Sequence, residues 1–232
     1  MGNLASIKQQ VQDRTGFKYS DNESMVERLI NSALKEISLV NFDFLRGRAG
    51  FQVAIGSTSY PMPAVLNEYV AKEIEQIFYD SDGSEIIQDQ SAKEVMKTWD
   101  TTVGTPKNYC MFGMAYSTIL SKNVRAFWVG NPWPTATVNA TIFFWKLLTD
   151  LNSDTDESTV SLAWSDDPIV YFASYLIYKN MELFDKANDA LNDFRIEMKN
   201  MESLGFTGRS YEDIVIARQN IYHVENTVGS NV

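Results

Sequence analysis

The chain predicts an α+β fold: a helical bundle built from its N-terminal and C-terminal helices, with an antiparallel β domain inserted between them. Three observations predict it. Apolar residues recur at intervals of three and four near both ends of the chain. The middle consists of short runs of β-branched and aromatic residues cut by turn residues. The 232 residues, 44% hydrophobic and 22% charged, suffice to bury a core and are not the composition of a disordered tail.

Leu4, Ile7 and Val11 mark a first helix that stops at Thr15-Gly16. Ser20 followed by Glu23 forms a capping box for a second helix. Its stripe is Val26, Leu29, Ile30, Ala33, Leu34 and Ile37, ending near Val40. From Asn41 the period changes to that of strands. Residues 51–55 and 58–60 flank Gly56-Ser57 as a hairpin, and residues 74–79 and 84–87 flank Asp82-Gly83, a pair suited to positive φ. Residues 91–99 read as a short helix. Residues 124–129 form a strand cut off by the run from Gly130 to Pro134, and residues 138–148 form a long strand. Ile142, Phe144 and Lys146 share one face of that strand, and Phe143, Trp145 and Leu147 the other, so it reads as covered on both sides.

Helix returns at Asp166-Asp167-Pro168, an acidic cap with proline at the first helical position. Ile169, Phe172, Ala173, Leu176 and Ile177 form its apolar face. After a break over residues 180–185, Ala187, Ala190, Leu191, Phe194, Met198 and Met201 form that of an antiparallel partner stopping at Gly205. The expected organisation is N-terminal helices over 1–40, an inserted β-rich domain over 41–163, a helical hairpin over 164–204 and an extended arm over 205–232. In the arm, Tyr211, Ile214, Val215, Ile221 and Tyr222 recur at helical spacing behind a weak capping box of Ser210 and Asp213. An isolated helix this short is marginal in water, so the stripe is expected to dock, and these five residues are the candidate contacts to another chain.

Residues for catalysis are missing. His223 is the single histidine and lies in the C-terminal arm, and Cys110 reads as a small buried hydrophobe with no cationic cluster beside it in sequence. One cysteine forms no internal disulfide, and with one histidine it makes no zinc cluster. No phosphate-cradling glycine loop occurs. Asp150 to Asp156 alternates oxygen ligands like the start of a calcium loop, but Thr155 stands where glycine makes the turn and Ser161 where a bidentate glutamate is needed. That stretch is expected to be an acidic linker. No cofactor, metal or enzymatic activity is expected. Trp128, Trp133 and Trp145 leave a carbohydrate-binding or other accessory role as an alternative, and a cryptic hydrolase as a more remote one. Thirty acidic against twenty basic residues, a formal charge of −10, argue against tight binding of nucleic acid. The N-terminal residues show no secretory leader and no apolar run reaches the roughly eighteen residues of a membrane span, so the reading is cytoplasmic at synthesis with no membrane.

Four local sequences, in this order, resemble the head-to-tail (portal–tail) adaptor family of short-tailed bacteriophages, of the tail tubular or head-completion type. They are Asn41-Phe42-Asp43-Phe44-Leu45 after the first helices, Tyr60-Pro61-Met62-Pro63, Gly104-Thr105-Pro106-Lys107-Asn108-Tyr109, and Trp128-Val129-Gly130-Asn131-Pro132 with the later Leu183-Phe184-Asp185-Lys186-Ala187. The resemblance covers roughly residues 1 to 204, and the polar tail after Gly205 departs from it. It implies a structural virion protein: a dodecameric ring at the neck between capsid and tail, assembled in the host cytoplasm. Its partners would be the portal protein above and a tail or nozzle protein below, with DNA passing through the lumen without specific binding and with neither catalysis nor a cofactor. Pro61 and Pro106 give two of these motifs a physical sense, because proline fixes φ and holds the preceding residue extended.

Overall fold

The structure is a computed structural model that describes residues 2–18, 22–55, 57, 59–62, 64, 65, 69–88, 103–130, 133–203 and 211. It is α+β and divides into two compact units, one of Met1–Leu45 with Leu148–Val232 and one of Arg46–Leu147. The helical unit contains α1 (Leu4–Thr15), α2 (Glu23–Ile37), α3 (Thr159–Ala163), α4 (Asp167–Asn180) and α5 (Phe184–Glu202). The β unit contains β1 (Arg46–Val53), β2 (Ser59–Pro61), β3 (Ala64–Val65), β4 (Tyr69–Tyr79), β5 (Ile87–Gln88), β6 (Val103–Gly104), β7 (Asn108–Ser117), β8 (Lys122–Gly130), β9 (Trp133–Pro134) and β10 (Val138–Lys146). No described helix is long and apolar enough to cross a membrane.

In the helical unit α4 packs against α1, α2 and α5. Its centre admits that approach because Ala173 and Ser174 are small and fully buried, while Ile169 and Ile177 fill the space on either side. The anticipated stripes of α1 and α2 are buried, as are Ala187, Ala190, Phe194, Met198 and Met201 of α5. Gly16 ends α1 at φ 70°, and its N–H reaches the Gln12 carbonyl. The expected acidic cap of α4 is different in detail. Asp166 makes no cap hydrogen bond; its Oδ2 accepts from Gln10 Nε2 at 2.7 Å, and its buried Oδ1 has no partner among the described residues. Helix α3 lies in a stretch that periodicity counts with the β region, since five residues are too few to establish a helical period. Ser20 of the expected capping box and the expected helix over 91–99 lie outside the described residues.

Two four-stranded sheets make up most of the β unit, in the orders β1-β10-β4-β3 and β2-β8-β7-β5. Val53, Ile74, Ile77, Ile142 and Phe144 of the first sheet share one core with Tyr109, Phe127 and Val129 of the second. β1 alternates cleanly, with Gly47, Ala49, Phe51 and Val53 turned inward and Arg46, Arg48, Gly50 and Gln52 outward. The pairing corrects the expected hairpin around Gly56-Ser57: β1 pairs with β10 and β2 with β8, so the chain changes sheet at that point. Tyr60 closes the corner by accepting from the Ala54 N–H at 2.9 Å and donating to the Ser57 carbonyl at 2.9 Å. The turn at Asp82-Gly83 forms as anticipated, with Gly83 at φ 70°, but β5 then leaves to pair in parallel with β7. A second short parallel pair joins β6 and β9, so the β unit is mixed and not wholly antiparallel. β10 ends at Lys146, two residues earlier than its apolar run, and leaves Leu147 exposed.

Candidate functional site

The stretch Asp150 to Asp156 builds a seat for α1. Carbonyls of Asp156 and Asp154 accept from the Leu4 and Ala5 N–H groups at 2.9 and 3.2 Å, taking up donors that a helix start leaves unpaired. The Asp156 carboxylate accepts from the N–H groups of Asn152 and Ser153, and Asn31 holds both the N–H and the carbonyl of Leu151. Glu23, Glu27 and Asp154 bring one carboxylate oxygen each to a common point. That point holds the Lys8 ammonium, at 2.8, 2.7 and 2.8 Å from the three oxygens. Burial works against the charge on Lys8, but three hydrogen-bonded carboxylates outweigh it and raise its pKa above the ordinary lysine value. A cation at this point would have to displace the lysine. Lys8 shares a helix face with Leu4, Ile7 and Val11, and a charged residue within an apolar stripe was the available sequence signal for it.

Tyr211, the one candidate contact of the arm among the described residues, packs on this chain's own helices. It is 5% exposed and sets its ring edge-on to Phe194 at 5.2 Å. Its N–H donates to Glu202 Oε1 at 2.7 Å and its hydroxyl to Glu36 Oε1 at 3.1 Å. Ile214, Val215, Ile221 and Tyr222, and His223 with them, lie outside the described residues. Of the tryptophans, Trp145 is buried, Trp128 is half-buried and makes a T-shaped pair with Phe112 at 5.1 Å, and the side chain of Trp133 lies outside the described residues. Cys110 is buried beside Tyr109 in β7.

Among the described residues, two stretches of chain gather three or more exposed large apolar side chains. One is the turn between α4 and α5, where Met181, Leu183 and Phe184 project from a chain reversal with Glu182 at φ 60°. The turn is closed by the Leu183 N–H on the Tyr178 carbonyl at 2.9 Å, the wide hydrogen bond of a left-handed helix stop. Beyond it α5 repeats Asp185, Asp189, Asp193 and Glu197 every fourth residue, a like-charged row on one helix face. Arg14 pairs with Asp193 and lies 4.3 Å over the Tyr171 ring, and Trp164 donates to Glu197. The other is the β7–β8 hairpin, whose Phe112, Met114, Tyr116 and Ile119 are exposed. Sequence reasoning passed over both, because exposure of an apolar residue is decided by what the rest of the chain covers.

A family model described as SU10 adaptor protein matches residues 2–212, nearly the whole chain and both of its units. No curated protein matches.

Proposed function

Since the chain belongs to the SU10 adaptor protein family, we propose that it is a structural protein of a tailed-phage virion that joins the portal to the tail. The match over residues 2–212 is the observation that carries this reading, because it spans the helical and the β unit together. In the proposed role, copies form a closed ring at the neck, dodecameric as the adaptor resemblance implies, with the portal on one side and a tail or nozzle protein on the other. A joint between rotationally symmetric bodies presents one repeated interface, which a closed ring supplies. DNA passes through the lumen unbound.

Residues 1–45 and 148–232 carry eleven basic and twenty-one acidic side chains, the whole of the −10 charge, and part of that excess faces the passage. Acidic walls repel the phosphate backbone and let DNA move without adhering. The segment after Tyr211 docks on the portal or a neighbouring copy through Ile214, Val215, Ile221 and Tyr222, and Tyr211 anchors its root to the helical unit.

Electron cryo-microscopy of the chain assembled on its portal tests the reading. A ring matching the portal symmetry is expected; particles carrying one or a few copies would overturn it, and a lumen dominated by lysine and arginine would overturn the role given to the charge. Removing residues 213–232, which leaves Tyr211 in place, tests the docking segment: portal binding is expected to fall while the fold persists, and unaltered binding would remove the segment from the interface.

A further inference from the structure

The start of α1 is joined to two distant segments of the helical unit. Its first N–H groups are taken up by the Asp156 and Asp154 carbonyls, and the Ser6 N–H by Asn3 Oδ1 at 2.9 Å. Before them, the Gly2 carbonyl accepts from the Ser158 N–H at 3.4 Å, and Gly2 is buried. Its other neighbour is Asp166, at the start of α4. A Cβ built on Gly2 would stand 1.6 Å from Asp166 Oδ1 and 2.3 Å from its Cγ, so the carboxylate comes up against the backbone only because residue 2 is glycine. The Gly2 nitrogen, about 2.5 Å from that Cβ position, then lies within about 4 Å of Oδ1. The two oxygens of this carboxylate are served differently. Oδ2 accepts from Gln10 Nε2 of α1 at 2.7 Å, whereas Oδ1 is buried and receives no hydrogen bond among the described residues.

A buried carboxylate oxygen without a donor is costly. The Gly2 amide has one N–H, its direction set by the peptide plane, and it does not donate to Oδ1. An α-ammonium at Gly2 carries three N–H groups that turn about the N–Cα axis, together with a full positive charge, and so supplies the donor that Oδ1 lacks. We infer that the chain is cleaved before Gly2 and that the α-ammonium so formed pairs with Asp166 Oδ1. In the cleavage, water adds across the Met1–Gly2 peptide bond: its hydroxyl goes to the methionine carbonyl carbon and its proton to the Gly2 nitrogen. Methionine leaves with whatever precedes it. The new amine takes a further proton from solvent at neutral pH. Removal of a methionine that stands before glycine is a known maturation step. Asp166 then holds the N-terminal segment at two points, Gly2 through one oxygen and Gln10 through the other, and ties both to the start of α4. Nothing in this depends on the role proposed above.

Intact-mass spectrometry of the full chain, expressed in bacteria from Met1, is the first test. A mass short of one methionine residue is expected; a chain that keeps methionine, or carries an acyl group on Gly2, overturns the inference. Thermal melts then compare the chain beginning at Gly2 with one that keeps Met1, prepared by inhibiting methionine aminopeptidase. The Gly2 chain should melt about 2–4 °C higher, and Asp166→Asn should remove the difference between the two. Equal melting of the two wild-type chains overturns the pairing. So does a difference that survives Asp166→Asn, which assigns the gain to loss of the methionine side chain. Should Asp166→Asn fail to fold, enzymatic acetylation of the Gly2 amine replaces it: the acetylated chain is expected to lose the gain, and one that melts with the free amine overturns the pairing.

Discussion

The helical unit and the β unit are held together by different means. In the helical unit, segments distant in sequence are joined by polar side chains that reach across the core edge: Lys8 to Asp154, Asn31 to Leu151, Gln10 to Asp166, and the Leu148 N–H to Ser38 Oγ at 3.1 Å. In the β unit the corresponding work is done by rings. Phe127 lies within 5.4 to 6.4 Å of Phe51, Tyr60 and Tyr109, uniting strands from both sheets. The β unit has polar links as well, Tyr79 to the Pro106 carbonyl at 2.6 Å and Thr141 to Asp80 at 2.7 Å, but these supplement the ring contacts that join its two sheets.

The strongest way to break this comparison is to injure one core at a time. Phe194 and Phe127 are almost fully buried in the helical and β units respectively, and Phe194→Ala or Phe127→Ala should each cost about 3–4 kcal/mol. In calorimetry, Phe194→Ala is expected to lower the transition of the helical unit and Phe127→Ala that of the β unit. One transition moved equally by both would show a single cooperative body.

Lys8→Met sharpens the polar half of the comparison. It leaves three carboxylates converging with no cation, at a cost of about 2 kcal/mol, reduced from a fully buried case because two of the three are more than half exposed. Denaturant unfolding measures it. If the loss stems from carboxylate repulsion, Glu27→Gln in the Lys8→Met background recovers part of it; no recovery would assign the cost to lost packing.

Alkali probes the aromatic half. Burial pushes the Tyr109 hydroxyl up to about 12, with Glu85 and Glu73 adding to the effect. The folded state then keeps a proton that the unfolded chain loses near pH 10, so this tyrosine's contribution is complete below pH 10 and is lost as pH rises through about 12. Stability should fall across that window by at most about 1.4 kcal/mol per pH unit from this group, and Tyr109→Phe should flatten the slope. An unchanged slope would show that the hydroxyl does not control alkaline unfolding.

The smallest effect is a gain. Glu182 holds a left-handed conformation after α4, where glycine carries no steric penalty, so Glu182→Gly should stabilise the helical unit by about 0.5–1 kcal/mol in thermal melts and leave the β unit as it was. Destabilisation would mean that the Glu182 side chain contributes more than its backbone costs.

The sequence by itself determined what depends on neighbours along the chain. Leu29, Ile30, Ala33, Leu34 and Ile37 declare α2 by their spacing, Gly16 declares the end of α1, and Asp82-Gly83 a turn, because helix period and positive φ are properties of a few consecutive residues. The α+β class and the adaptor resemblance came from the order of such local signals. Tertiary structure alone decided that β1 and β2, two residues of connection apart by pattern, belong to different sheets, that Lys8 is enclosed by carboxylates from α2 and from a stretch well over a hundred residues away, and that Tyr211 closes over Phe194 while Met114 and Tyr116 stay exposed. Each of these depends on which distant segment lies alongside, and the free energy that chooses the partner comes from burial and polar satisfaction summed over the whole unit, which no window of sequence contains.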